Sequence, residues 1–301
     1  MSEIMEKARQ LWLKYVDICE FAEIKYDPKH IIIGTIVGIF VGFFVGNIFD
    51  FTFGLLLAIL AFDLGVGMPF YLADRKVAAI EERLPDVLHH IGTTLKTGGT
   101  IEVALNEVSR IDYGPITLGL KTMLREINEG KIFEDAFRDF AAQSRSELMK
   151  KAAIIIIAAR KAGGGLLDTL TAMAEDIRAL YRLKRERRTK TFMQFLFILV
   201  AGVLVAPFVF GIVKSVLQIL VAVGGSNTPE TIALVAQFDF LFKTYLILAA
   251  ALTMASAYQV REGTMLKAVM YIPIGMMITY LIYLFIASSF LSLIGGGAVI
   301  R

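Results

Sequence analysis

The chain is predicted to be an all-α, polytopic membrane protein with about five transmembrane helices and a six-helix antiparallel cytoplasmic bundle. Three observations predict it. Apolar residues make up 56% of the 301 residues and the mean hydropathy is +0.65, above the range of soluble domains. Five apolar runs, Ile31–Phe49, Phe51–Leu72, Phe192–Val213, Phe240–Tyr258 and Val269–Leu291, reach the roughly 20 residues that cross a hydrocarbon core as helix. Between the second and third runs lies a polar block, Ala73–Lys190, with 21 of the 31 Lys and Arg residues and no period-two strand pattern.

Taken in order, residues 1–29 read as an amphipathic helix, with Ile4, Ala8, Leu11, Trp12, Tyr15, Ile18 and Ala22 at three- and four-residue steps. That face suits either a membrane interface or packing on the cytoplasmic domain; Asp27-Pro28 ends the helix. The charged first thirty residues do not have the form of a cleavable signal peptide. Residues 30–72 form a transmembrane hairpin with its turn at Asn47–Asp50. Its first arm repeats Gly34, Gly38, Gly42 and Gly46 along one face, a pattern that lets helices approach closely. The face serves either the second arm of the same hairpin or a partner helix. Asp63 falls mid-span in the second arm, where a carboxylate costs about 2.5–3.5 kcal/mol and marks a functional candidate. Gly65, Gly67 and Pro69 predict a broken helix end there.

The block 73–190 divides at Gly and Pro into six helices. The first covers about Asp74–Thr97, with Ile80, Leu84, Leu88, Ile91 and Leu95 inward, and stops at Gly98-Gly99. Thr100 caps Ile101–Arg110. Gly114-Pro115 opens the third, which ends at Gly130, and Ile132–Gln143 is the fourth. Ser144 and Glu147 have capping-box spacing for the fifth, Ser146–Ala162, whose Ile154–Ile157 centre predicts burial all round. Gly163-Gly164-Gly165 breaks it. The sixth places Leu166, Leu170, Met173, Ile177 and Leu180 on one face. Residues 191–301 form a membrane domain of three helices, and Val216–Val223 either prolongs the third span or lies along the interface.

Charge placement sets orientation. Arg182, Lys184, Arg185, Arg187, Arg188 and Lys190 abut the third span, Arg261 and Lys267 fall on the same side, and the turn at Asn47–Asp50 has no basic residue. The N-terminus and residues 73–190 are therefore expected in the cytoplasm and the C-terminus outside, in the cell (cytoplasmic or inner) membrane. The basic run reads as a lipid anchor or as a docking surface for an acidic partner. It lacks the aromatic interleaving of a nucleic-acid groove, so no nucleic acid is expected. A single cysteine, Cys19, excludes an intramolecular disulfide and a cysteine metal cluster. His89 and His90 point about 100° apart on a helix and do not chelate. The triple glycine lacks the Lys-Ser/Thr of a phosphate loop. Glu81-Glu82 and Glu134-Asp135-Asp139 read as solvated faces. No catalytic, cofactor or metal residue is predicted, and the chain is not expected to be an enzyme.

The ordered set Leu84-Pro85-Asp86, Gly98, Gly130 with Glu134-Asp135-Ala136, Gly163 and Leu170, inside this membrane layout, resembles the repeated domain of type II secretion F proteins. The stretch Ala159–Asp168, continuing through Ala174-Glu175-Asp176-Ile177-Arg178 into the basic run, is most similar to the single-domain TadC-type branch, whose wider group includes archaeal pilus platforms. The resemblance covers roughly residues 75–215. Lys161 departs from the Glu that many F domains carry two residues before the turn glycine, and only one domain copy is present. The resemblance implies a non-enzymatic platform protein of a type IV pilus-like machine for pilus assembly or protein secretion. Its implied partners are a hexameric secretion ATPase, pilin subunits, membrane lipid and a second platform protomer, itself or a paralogue. The competing class is a membrane transporter or channel subunit with a cytoplasmic regulatory helical domain. An intramembrane aspartyl protease would need a second membrane-facing Asp, which the sequence does not offer.

Overall fold

The structure is a computed structural model that describes residues 2–24, 27–48, 50–162, 165–223, 228–263 and 268–298. Every regular element among them is helical, and five helices are long and apolar enough to cross a membrane. The chain divides into two compact units, residues 72–186 and the remainder.

The remainder is the membrane unit. It opens with α1 (Ser2–Phe21) and the hairpin arm α2 (Pro28–Ile48). Pro28 starts α2, where a missing N–H costs nothing. α3 (Phe51–Lys96) begins here as one unbroken helix, so the break expected at Gly65, Gly67 and Pro69 does not occur. Pro69 has no N–H for the carbonyl of Gly65, four residues back. The hydroxyl of Tyr15 on α1 donates to that carbonyl at 2.8 Å, replacing the lost bond. Tyr15 and Cys19 are both buried, so this part of α1 packs within the membrane unit.

The C-terminal helices run longer than their apolar cores. α9 (Phe192–Leu199) passes through a π-helical stretch, Val200–Val205, into α10 (Ala206–Val223). Val216–Val223 thus prolongs the third span. The wider π turn, with the Ala206 N–H reaching Ala201 five residues back, makes room for Pro207 one residue on. α11 (Pro229–Glu262) is capped by the Thr228 hydroxyl at one end and by left-handed Gly263 at the other. α12 (Ile272–Ala298) completes the unit. Ser215 on α10 donates to the Ala287 carbonyl on α12 at 3.1 Å.

The other unit holds the end of α3, then α4 (Ile101–Arg110), α5 (Pro115–Asn128), α6 (Phe133–Gln143), α7 (Glu147–Lys161) and the larger part of α8 (Leu166–Lys190). Ile80, Leu84, Leu88 and Ile91 are buried with Leu105, Ile116, Leu120, Phe137, Phe140, Ile156, Leu170 and Ile177. Thr100 caps α4 through the Val103 N–H. The cap of α7 is Ser146; Ser144 instead closes α6, and the intervening Arg145 has φ +55°. That turn separates Ser144 from Glu147, so no capping box forms, and Glu147 pairs with Lys150 at 2.8 Å. Two further expectations fail by periodicity. Ile156 and Ile157 are buried but Ile154 is 69% exposed and Ile155 half-exposed, because α7 packs on one side only. Leu180 is also exposed, since the buried stripe of α8 runs through Leu170, Ala174 and Ile177.

Candidate functional site

Three constellations carry charge or motif residues; the first lies in the bundle, the third in the membrane unit, and the second runs along α8 across the boundary at residue 186. In the first, Leu84, Ala136 and Leu170 are core residues, and Pro85 is buried within α3. Asp86 accepts from Arg178 on α8 at 3.0 Å; both side chains are nearly half-exposed, so the pair contributes about 0–1 kcal/mol. Gly98 and Gly130 have φ +88° and +97°, the left-handed geometry that ends a helix without a Cβ penalty. Gly163 lies outside the described residues. Glu81, read from sequence as solvated, accepts from the Ser146 hydroxyl at 2.6 Å and from Tyr181 at 3.2 Å. Ser146 thus caps α7 and ties it to α3 through one hydroxyl. Burial, and behind it the Glu81 carboxylate, pushes the Tyr181 phenol well above its ordinary range, which keeps it a donor. Glu134 is likewise no free surface acid. Arg160 reaches it at 3.3 Å and Glu102 at 3.6 Å, with its guanidinium 4.3 Å from the Phe133 ring centre. Asp139 pairs with Lys131 at 2.6 Å. His90 meets the Tyr113 hydroxyl at 2.8 Å, while His89 is exposed.

The second constellation is the basic run. Its members do not act alike. Lys184 lies over the Tyr181 ring, and Arg185 sits 4.0 Å from Glu82. Arg182 and Lys190 are exposed on α8. Arg187 and Arg188 turn to the end of α11. Arg187 donates to the carbonyls of Gln259 and Val260 at 3.4 and 3.5 Å, and Arg188 pairs with Glu262 at 2.6 Å. Arg261 reaches the other way, 4.9 Å from the Phe195 ring centre on α9. Beside it Tyr258 stacks on Tyr271, whose hydroxyl donates to that of Tyr71 on α3. Such a cluster of Tyr and Arg suits a membrane–water interface.

The third is the membrane hairpin and what it touches. Gly38, Gly42 and Gly46 face the second arm: a Cβ at 38 would lie 2.7 Å from that of Ala61, one at 42 would lie 2.8 Å from the Ala58 nitrogen, and one at 46 would lie 3.0 Å from the Gly54 Cα. The glycine face is therefore occupied by its own hairpin, not open to a partner helix. Gly34 differs, with nothing within 4 Å of its Cβ position. Asp63 is 8% exposed, and its Oδ2 is buried with no hydrogen-bond partner.

At the hairpin tip the structure assembles a group that sequence reading missed. Lys243 on α11 bridges Asp50 at 2.5 Å and Asp239 at 2.9 Å, and Asp239 continues to Lys214 on α10 at 2.6 Å. Tyr280 on α12 donates to Asp50 at 2.8 Å and Tyr283 to Asp239 at 2.7 Å. Lys214 and Lys243 lie within α10 and α11, which continue past this level. The one available signal was the i, i+4 spacing of Asp239 and Lys243. Asp50 and Asp239 do come together, but each is held by lysine and tyrosine. This is a neutral ion chain rather than two acids free to share a proton and a water. From Asp50 to Tyr71, α3 advances about 30 Å at 1.5 Å per residue, about the thickness of a hydrocarbon core. The ion chain and the Tyr–Arg cluster thus mark opposite ends of the spans. Among the described residues no group of His, Cys, Asp and Glu is arranged to hold a metal.

Comparison with known proteins agrees with this layout. Residues 87–213 match the family model of the type II secretion system protein F, so that segment is an F domain, and with five helices long and apolar enough to cross a membrane the chain is a multi-pass membrane protein. The match runs from α3 through the bundle and the basic run into α10. An uncharacterized protein of Methanocaldococcus jannaschii is 25% identical over 141 residues, which is 47% of this chain and 23% of that protein. The alignment thus spans under a quarter of that relative's length. No solved structure matches.

Proposed function

We propose that this chain is the integral membrane platform of a type IV pilus-like or type II secretion-like filament machine, of the single-domain TadC-type branch. In this reading it is not an enzyme. It couples a hexameric cytoplasmic secretion ATPase to the movement of pilin subunits from the bilayer into the filament, together with a second platform protomer. One observation carries the reading: the F-domain match falls on a six-helix unit and continues into the third span of a five-span chain. Residues 73–190 face the cytoplasm, as the basic run before the third span requires.

In this reading pilin is received on an exposed apolar face of the hairpin. The glycine face is filled by α3, so the pilin-facing surface is the opposite side of α2, where Ile36, Phe40, Phe43 and Phe44 are exposed. Among the described residues the buried side-chain atoms without a hydrogen-bond partner are Arg261 Nε, Thr279 Oγ1 and Asp63 Oδ2. Asp63 Oδ2 is the carboxylate oxygen of these, and in this reading it receives a hydrogen bond from the incoming subunit. The ion chain at the hairpin tip also bears on the transporter alternative. Its four charges are mutually satisfied, which suits a fixed joint better than a substrate path.

The test is co-purification of the full-length protein from membranes with a secretion ATPase. Recovery of the ATPase, and its loss on deleting residues 73–190, is expected. No ATPase under crosslinking overturns the reading. Should Asp63→Ala assemble filaments at the wild-type level, the role given to that carboxylate is wrong.

A further inference from the structure

We propose that Arg187 and Arg188 are coupling residues that join the α8–α9 junction to the C-terminal end of α11, so that displacement of α8 enters the fourth span directly as well as the third. The inference rests on the platform reading above and assigns the joint within it. The last carbonyls of a helix lack intrahelical donors and carry partial negative charge. At the end of α11 the Val260 carbonyl accepts from the Arg187 guanidinium, as does that of Gln259, which also takes the Gly263 N–H at 3.0 Å. Gly263 has two reasons to be glycine. Its φ is +76°, and a Cβ there would lie 2.5 Å from Arg187 Nη1. Arg188 adds a charge-assisted bond to Glu262, whose side chain is only 13% exposed.

The joint is reciprocal. Arg187 and Arg188 reach from α8 to α11, while Arg261 reaches from α11 to the ring of Phe195 on α9. The Thr191 hydroxyl donates to the Arg187 carbonyl at 2.8 Å, and the Phe195 N–H to the Thr191 carbonyl at 2.9 Å, so the backbone under the arginines continues into α9. A lipid anchor has its arginines aimed at phosphates. These two are aimed at peptide carbonyls and a carboxylate of a neighbouring helix. Sliding α8 past α11 would break both arginine contacts together, so the two helices move as one at this level.

The test is a charge swap, read as filaments per cell at matched membrane abundance, with the chain-deleted strain as the reference for zero. Arg188→Glu and Glu262→Arg are each expected to reduce filaments at least tenfold while ATPase co-purification persists, and the double swap to restore them to within two- to threefold. Wild-type assembly by both single variants overturns the coupling. So does assembly that falls only in proportion to protein abundance, since that is what a purely structural anchor would do. A swap that is membrane-inserted but fails to rescue also overturns it. Filaments persisting in the deleted strain would instead refute the platform reading itself, and the two failures are thereby distinct.

Discussion

Lys243→Met tests whether the hairpin is fixed to the C-terminal helices by charge. Lys243 is 13% exposed and is the central link of the chain Asp50–Lys243–Asp239–Lys214. Methionine keeps much of the side-chain length but leaves the group with one uncompensated negative charge. Breaking a buried pair costs about 3–5 kcal/mol because the surviving charge is left without compensation. Asp239 would retain Lys214 and Tyr283, and Asp50 would retain Tyr280 and the Thr52 N–H at 3.0 Å. The expected loss therefore lies at the lower end, about 3 kcal/mol. Adding Asp50→Asn removes the orphaned charge, so the double variant should lose only about 1 kcal/mol, a coupling of about 2 kcal/mol or more in the mutant cycle. Denaturant unfolding in mixed micelles, followed through the sole tryptophan, Trp12, measures it. A loss below about 1 kcal/mol for Lys243→Met, or single costs that simply add in the double variant, would refute the argument.

Other expectations follow from the same contacts. Tyr15→Phe leaves the Gly65 carbonyl without its donor and should cost about 1–3 kcal/mol. In a Pro69→Ala background, where the helix supplies its own N–H, that cost should shrink below about 1 kcal/mol; equal costs in both backgrounds would disprove the substitution of one donor for the other. Gly42→Val should push the hairpin arms apart and lower the unfolding midpoint, whereas Gly34→Ala, with open space around it, should match wild type. Ser146→Ala removes both the cap of α7 and the bond to Glu81. It should cost about 1–2 kcal/mol in denaturant unfolding, while Glu147→Ala should cost only a few tenths.

Much of the fold was legible from residue order. The spans follow from apolar runs, the bundle helices from Gly and Pro at their ends, and Leu84, Leu88, Leu170 and Ile177 from helical periodicity. The failures have local causes. Pro69 reads as a breaker because its penalty is computed within its own helix, yet its cost is met by a hydroxyl 54 positions away in the chain. Ile154 reads as buried because an apolar run says nothing about whether a second neighbour covers it. Glu81 and Glu134 read as solvated because their hydroxyl and guanidinium partners come from other helices.

By itself the sequence determined the class of molecule: a five-span, all-helical membrane protein with a helical bundle of F-type motif order. Hydrophobic length, glycine and proline placement and the crowding of basic residues before the third span are local properties, readable along one dimension. Only the tertiary structure decided which charges meet. Asp50 and Lys243 are 193 positions apart, and Arg188 and Glu262 are 74 apart. No periodicity relates them, because ion pairing depends on where folded helices end beside one another. The basic run shows the difference most plainly: its position in sequence orients the chain, but only the packed helices divide it into residues on the surface of α8 and two that hold the end of α11.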